Sequence, residues 1–133
     1  MKRPTRFYSN KQESAVAKVT GGTQVANSGA TKFSKGDVTL DNWLLECKTV
    51  TSEQKSFSIK KKWFEKNRIE AFAMGKQHSA LVFDYGDGGD RYYVVDEKTF
   101  LNMQGALERE ETYEGENEET DSERGKKVLR RYY

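Results

Sequence analysis

Residues 36–48 read GDVTLDNWLLECK. Two strand-like runs, residues 37–40 and 43–50, flank Asp41-Asn42, a pair with turn chemistry, so a strand–turn–strand unit is expected here. Alternation along the second run puts Glu46 and Lys48 on one face, and Leu45 and Cys47 on the other, where an apolar core would receive them. Asp37 opens the first run directly after a glycine. Two acids and a lysine are therefore expected to meet at the edge of a small hairpin. Two carboxylates offer a divalent cation hard oxygen ligands and leave positions open to water. A neighbouring ammonium can position or help deprotonate a water and stabilise charge on a phosphate. Such parts serve metal-assisted phosphodiester hydrolysis.

Outward from this unit the chain alternates helix and strand signals. Asn10, with Glu13 three positions on, has the pattern of a capping box that opens a helix running to about Val19, with Gly21 and Gly22 as its stop. Residues 23–26 can form a short strand, and residues 27–36, ANSGATKFSKG without its first alanine, read as a polar loop. Residues 59–74 are expected to be a helix that turns Ile59, Trp63, Phe64, Ala71 and Met74 to one side and stops at Gly75. Residues 79–85 and 91–96 alternate like strands around GDGGD, a hairpin signal. A last helix is expected from about Asp96, fading after Leu107. The fold class is α/β: a small mixed sheet flanked by helices, in the order α-β-β-β-α-β, with an extra strand and a C-terminal helix. Residues 1–111 form the expected domain. Residues 112–133 are expected to be a charged tail, disordered at least over 112–127, where no apolar period exists.

Composition narrows the function classes. The chain has 133 residues, which fits one domain, and 35% of them are apolar against 33% charged. No run of about 18 apolar residues could span a bilayer. The N-terminus, MKRPTRFYSN, is basic without the apolar stretch of a secretory signal. The single cysteine, Cys47, excludes an intramolecular disulfide and a zinc site of several cysteines, and a reducing cytoplasm is the expected setting. Residues 1–107 hold 17 Lys and Arg against 12 Asp and Glu, and residues 108–133 hold 6 against 9. A mildly basic body with an acidic extension favours anionic partners, nucleic acid first.

The stretch GDVTLDNWLLECK resembles the Asp…Glu-x-Lys signature of the PD-(D/E)XK nuclease superfamily, with glycine where the family usually has proline. The spacing of nine between Asp37 and Glu46, with a turn between, carries the resemblance. An N-terminal helix bearing Glu13 and a loop serine, Ser28 in NSGA, are similar to features of the archaeal-type Holliday junction resolvases, as is the order of elements. Residues 8–107 are covered, and the chain as a whole is similar to small resolvase-like proteins carried by bacteriophages, whose setting would be the host cytoplasm. The resemblance implies that Asp37 and Glu46 are metal ligands for magnesium, with manganese as a substitute. It implies the Cys47 backbone carbonyl as a third ligand, with Glu13 completing the site directly or through water. Lys48 would orient or activate the attacking water, and Ser28 would touch the scissile phosphate or the junction backbone. The implied activity is an endonuclease acting on four-way or other branched DNA as a homodimer. The alternatives are another structure-selective or nicking DNase, or a non-catalytic nucleic-acid-binding protein of the same fold.

Each residue also has a plainer role open to it. Glu13 can simply close the capping box, Ser28 be a loop hydroxyl, Asp37 cap a turn, and Glu46 with Lys48 form a solvated pair. Lys55, Lys60 and Lys61, with Lys62, Lys66 and Arg68, are expected either to contact DNA phosphates or to be a solvated helix face. Lys2, Arg3, Arg6 and Lys11 could form a basic arm on DNA. Trp63, Phe64 and Met74 read as core or dimer contacts, His78 as structural, and Asp84, Asp87 and Asp90 as turn formers.

Overall fold

A computed structural model describes residues 5–25, 37–86 and 88–116. In chain order the elements are helix α1 (Thr5–Thr20), strands β1 (Thr23–Gln24), β2 (Asp37–Thr39) and β3 (Trp43–Lys48), helix α2 (Lys61–Ala73), strands β4 (His78–Phe83) and β5 (Tyr92–Val94), and helix α3 (Glu97–Glu116). The expected α/β class and element order both hold.

The five strands form one open mixed sheet in the order β1-β2-β3-β4-β5. β2 and β3 form an antiparallel hairpin closed by Asp41 and Asn42, with the Leu40 N–H donating to the Trp43 carbonyl at 3.0 Å. Lys76 Nζ pins the same turn by donating to the carbonyls of Leu40 at 2.6 Å and Asp41 at 3.2 Å. β3 and β4 are parallel, as the crossover through α2 requires, and β5 returns antiparallel to β4.

Alternate residues of the central strands face opposite sides. Val38, Leu45, Cys47, Ala80 and Val82 meet Val16 of α1 in a buried apolar cluster. Burying a side chain of this kind contributes roughly 1.5–3 kcal/mol. On the opposite face Leu44 and Leu81 are fully buried, and Asn67 of α2 donates to the Ala80 carbonyl at 3.1 Å. Gly75, at φ 73°, ends α2 as expected.

Three helix ends differ from the sequence expectation by two residues or more, and all five strands are shorter than expected. α1 begins at Thr5, so Asn10 lies inside the helix and the capping box does not form. α2 begins at Lys61, two residues later than expected. α3 continues to Glu116 instead of fading after Leu107, so residues 112–116 are helical. Glu dominates its second half and is a good helix former even without an apolar period. Asp96 Oδ1 caps this helix by accepting from the Thr99 N–H at 2.8 Å.

The chain divides into two compact units that part between Val95 and Asp96. The sheet, α1 and α2 belong to the first, and α3 to the second. Among the described residues no helix is long and apolar enough to cross a membrane.

Candidate active site

Asp37 stands directly opposite Glu46 in the antiparallel register of β2 and β3, so both side chains leave the sheet on the same face. Both are buried, at 0% and 3% exposure. Two positions along β3, Lys48 lies on that face too, and its Nζ is 3.1 Å from Glu46 Oε1. The ammonium also sits 4.3 Å from the centre of the Trp63 ring, and Lys60 Nζ lies 5.6 Å from the same ring. Lys48 is thus held between a carboxylate and an indole, with its position restricted from both sides. Lys48 is about a quarter exposed, so its head reaches solvent while its carboxylate partner does not.

The polar face of α2 closes over the acids. Asn67 and Glu70 are buried at 1% and 8% exposure, and Lys66 Nζ is 3.7 Å from Glu70 Oε1. Among the described residues five buried acceptors have no hydrogen-bond partner: both Asp37 oxygens, Glu46 Oε2, Asn67 Oδ1 and Glu70 Oε2. Buried polar atoms are normally paired, because an unpaired one forfeits its hydration without return. A group of orphaned acceptors in one layer calls for protons, waters or a cation.

The electrostatics say the same. Burial, first, and the repulsion of Glu46 and Glu70, next, push the Asp37 carboxyl from 3.8 up to about 7. Lys66 opposes this, and Glu13 adds the smallest repulsion. Near neutral pH, Asp37 is therefore poised to exchange its proton for another positive charge.

Glu13 lies on α1, the helix over the apolar face, and its charge is the weakest of those acting on Asp37. The residue is buried at 6% exposure, and Gln24 Nε2 donates to its Oε2 at 3.4 Å. Inside a helix that starts eight residues earlier, it does not serve as a helix cap. Cys47 lies between Glu46 and Lys48 on β3, with its side chain in the apolar cluster. Burial, followed by the nearby Glu13, Asp37 and Glu46, pushes its thiol up to about 12. A thiol so protonated is no nucleophile. Only its backbone carbonyl is available to the acidic face.

The other expected site residues scatter. Ser28 lies outside the described residues, as do Lys2 and Arg3. Lys55, Lys60 and Lys61 are exposed, and Lys61 pairs with Glu65 at 3.6 Å one helical turn on. Lys66, grouped with these by sequence, instead faces Glu70. His78 packs its ring against Trp43 at 4.9 Å, and Asp84 Oδ1 accepts from the Gly86 N–H at 2.8 Å, both in keeping with structural roles. Sequence reasoning passed over Asn67 and Glu70. Their signal was present: with Trp63 they occupy positions i, i+4 and i+7 of the same helix and interrupt its inward stripe.

Among the described residues no three His, Cys, Asp or Glu side chains already stand in ligating positions around one point. What the site offers a divalent ion is the Asp37–Glu46 pair, with orphaned oxygens on both. Hard carboxylate oxygens suit magnesium, which keeps several waters and takes one or two carboxylates. The donor set fits such an ion.

No protein-family model, curated protein or solved structure matches the chain. The reading of the site rests on its own residues.

Proposed function

We propose that this chain is a metal-dependent DNA endonuclease of the PD-(D/E)XK type, resolvase-like in cutting branched DNA. The observation that carries the reading is the buried, register-opposed pair Asp37 and Glu46 with orphaned oxygens, beside an ion-paired Lys48 on the same face. A surface coincidence of charges would leave these groups solvated and would not raise the Asp37 pKa.

Asp37 and Glu46 would hold magnesium or manganese, with the Cys47 carbonyl on the strand between Glu46 and Lys48 and Glu13 on the α1 side. The ion would supply Lewis-acid charge at the phosphate and an acidified water. Asp37 gives up its proton on loading, so occupancy rises with pH through about 7. Lys48, braced by Glu46 and Trp63, orients the attacking water and offsets charge on the phosphate oxygens. Asn67 and Glu70 supply acceptors for water hydrogens around the acids. Lys55, Lys60 and Lys61 attract the DNA backbone without reading sequence. Two symmetric nicks need two active sites and one chain offers one, so the active form is a homodimer.

The test is cleavage of a labelled four-way junction beside linear duplex and single strand, with magnesium and with chelator. Paired symmetric, magnesium-dependent nicks support the resolvase reading. Cutting only of other DNA forms transfers it to another DNase. Binding without cutting makes the chain a non-catalytic nucleic-acid-binding protein.

A further inference from the structure

A cleft of about 330 Å³ opens beyond the C-terminal ends of the parallel strands β3 and β4. Thr49 and Thr51 follow β3 into its wall, and Gly86 and Gly88 follow β4. Tyr8, Lys11 and Gln12 of α1 close the third side, and Arg91 stands at the foot of β5. The outer ends of parallel strands are where open α/β sheets place their ligands. The size is at the lower end of the range for small-ligand sites.

The walls are fixed by groups that do not need a ligand. Gln12, 6% exposed, donates to the Lys48 carbonyl at 3.2 Å and to Asp84 Oδ2 at 3.3 Å, and accepts from the Thr49 hydroxyl. One side chain thus ties α1 to the ends of both strands. Gly86 has φ 79°, and a Cβ there would meet the Ser52 carbonyl at 2.6 Å, so only glycine fits. Among the described lining residues Asp84 is the one acid, and its two oxygens are engaged by Gln12 and by the Gly86 N–H. The cations among the described lining residues are Lys11 and Arg91. Arg91 also hydrogen-bonds the Tyr93 side chain, but a guanidinium carries five donors. Two cations, the hydroxyls of Tyr8 and Thr51, and a glycine-lined wall suit a phosphate group.

We propose that this cleft is a phosphate subsite for the nucleic-acid strand whose scissile bond lies at Asp37 and Glu46. This rests on the nuclease reading and deepens it. Thr49 is three residues beyond Glu46, just past the end of β3, about 10 Å at the usual rise. At roughly 3.4 Å per nucleotide along a duplex axis, a strand covers that in about three nucleotides. Gln12 couples the two places, since it grips the carbonyl of Lys48 itself. The cleft thus sets which strand position reaches the acids.

The test uses the full ¹⁵N-labelled chain in chelator, titrated separately with inorganic phosphate, thymidine 5′-monophosphate and a ten-nucleotide thymidine oligomer. The oligomer is expected to shift the amides of Thr49, Thr51 and Gly88 at concentrations at least tenfold below those of phosphate or the mononucleotide. Lys11→Ala, at an exposed helix position, and Arg91→Ala should each weaken that binding at least fivefold while core amides stay in place. Asp37→Asn should leave it equal or tighter. Shifts confined to other regions, or unchanged affinity in Lys11→Ala and Arg91→Ala, would overturn the proposal. Equal affinity for free phosphate and oligomer would overturn the strand subsite in favour of a free-phosphate pocket. Cleft binding by a protein that cuts no DNA would sink the nuclease reading alone, and cutting without cleft binding would sink the subsite alone.

Discussion

Under α1 the sheet presents Val38, Leu45, Cys47, Ala80 and Val82 to Val16, while under α2 the same strands present Asp37, Glu46 and Lys48 to Asn67 and Glu70. Neighbouring residues of one strand are sorted to a dry face and a charged face by the pleat alone. The dry face has no reason to be anything but apolar and supplies the burial that holds the sheet. The charged face does the opposite. It places carboxylates out of water, leaves both Asp37 oxygens and Glu46 Oε2 unpaired, and pushes the Asp37 carboxyl up to about 7. That arrangement costs stability in the metal-free chain unless protons, waters or a cation come to it.

The strongest way to break the contrast is to copy the acid across the sheet. Val82→Asp puts a carboxylate among Val16, Cys47 and Leu45, where no cation is offered. We expect a loss of roughly 4 kcal/mol or more, read as collapse of the cooperative unfolding transition. A well-folded Val82→Asp protein would show that the two faces are not different in kind.

The converse change removes the acid where it belongs. Asp37 binds its proton more tightly folded than unfolded, so its contribution to metal-free stability is full below about pH 4. It is lost as pH rises through about 7. Asp37→Asn in chelator should therefore be more stable than the native chain at pH 8, by about 4 kcal/mol, and nearly equal at pH 4. Denaturant melts at the two pH values measure this. The same variant should lose magnesium-dependent cutting while keeping its DNA affinity.

A third change separates chemistry from attraction. Lys48→Ala should slow single-turnover cutting at saturating protein at least about tenfold, roughly 1.4 kcal/mol in barrier, with little change in junction affinity. A saturated rate equal to that of the native chain would make Lys48 an ordinary half-buried lysine. Smaller still is the effect of Lys61→Ala. Its pairing with Glu65 is solvent-exposed, so stability should change by no more than about 0.5 kcal/mol. Binding should weaken slightly and its salt dependence become shallower, with a near-normal saturated rate.

The hairpin and its two faces were legible in GDVTLDNWLLECK because strand alternation and a two-residue turn are local properties. The start of α1 was not. Asn10 and Glu13 make a good capping box, yet the residues before them continue the helix, and a cap signal loses wherever the preceding turn is already formed. Glu13 consequently is a buried acid rather than a cap, a change in its role that only the longer helix reveals. α3 runs past its expected end because a Glu-rich segment forms helix well even where charge density and a missing apolar period suggest disorder. Asn67 and Glu70 escaped for a different reason. A polar residue on a helix reads as solvated unless it is known that the facing strand carries Asp37 and Glu46, and that pairing is tertiary. The cleft beyond β3 and β4 was equally hidden, since it joins Gln12 to Asp84 across 72 positions of sequence.

The central claim is that the acidic face takes a divalent cation. Calorimetric titration of manganese into the chelator-stripped native chain and into Asp37→Asn, at pH 7.5 and without DNA, tests it most directly. The account predicts saturable binding at Asp37 and Glu46 in the native chain, proton release that increases as pH is lowered toward 7, and at least tenfold weaker binding in Asp37→Asn. Equal binding by both proteins, or none by either, would contradict it.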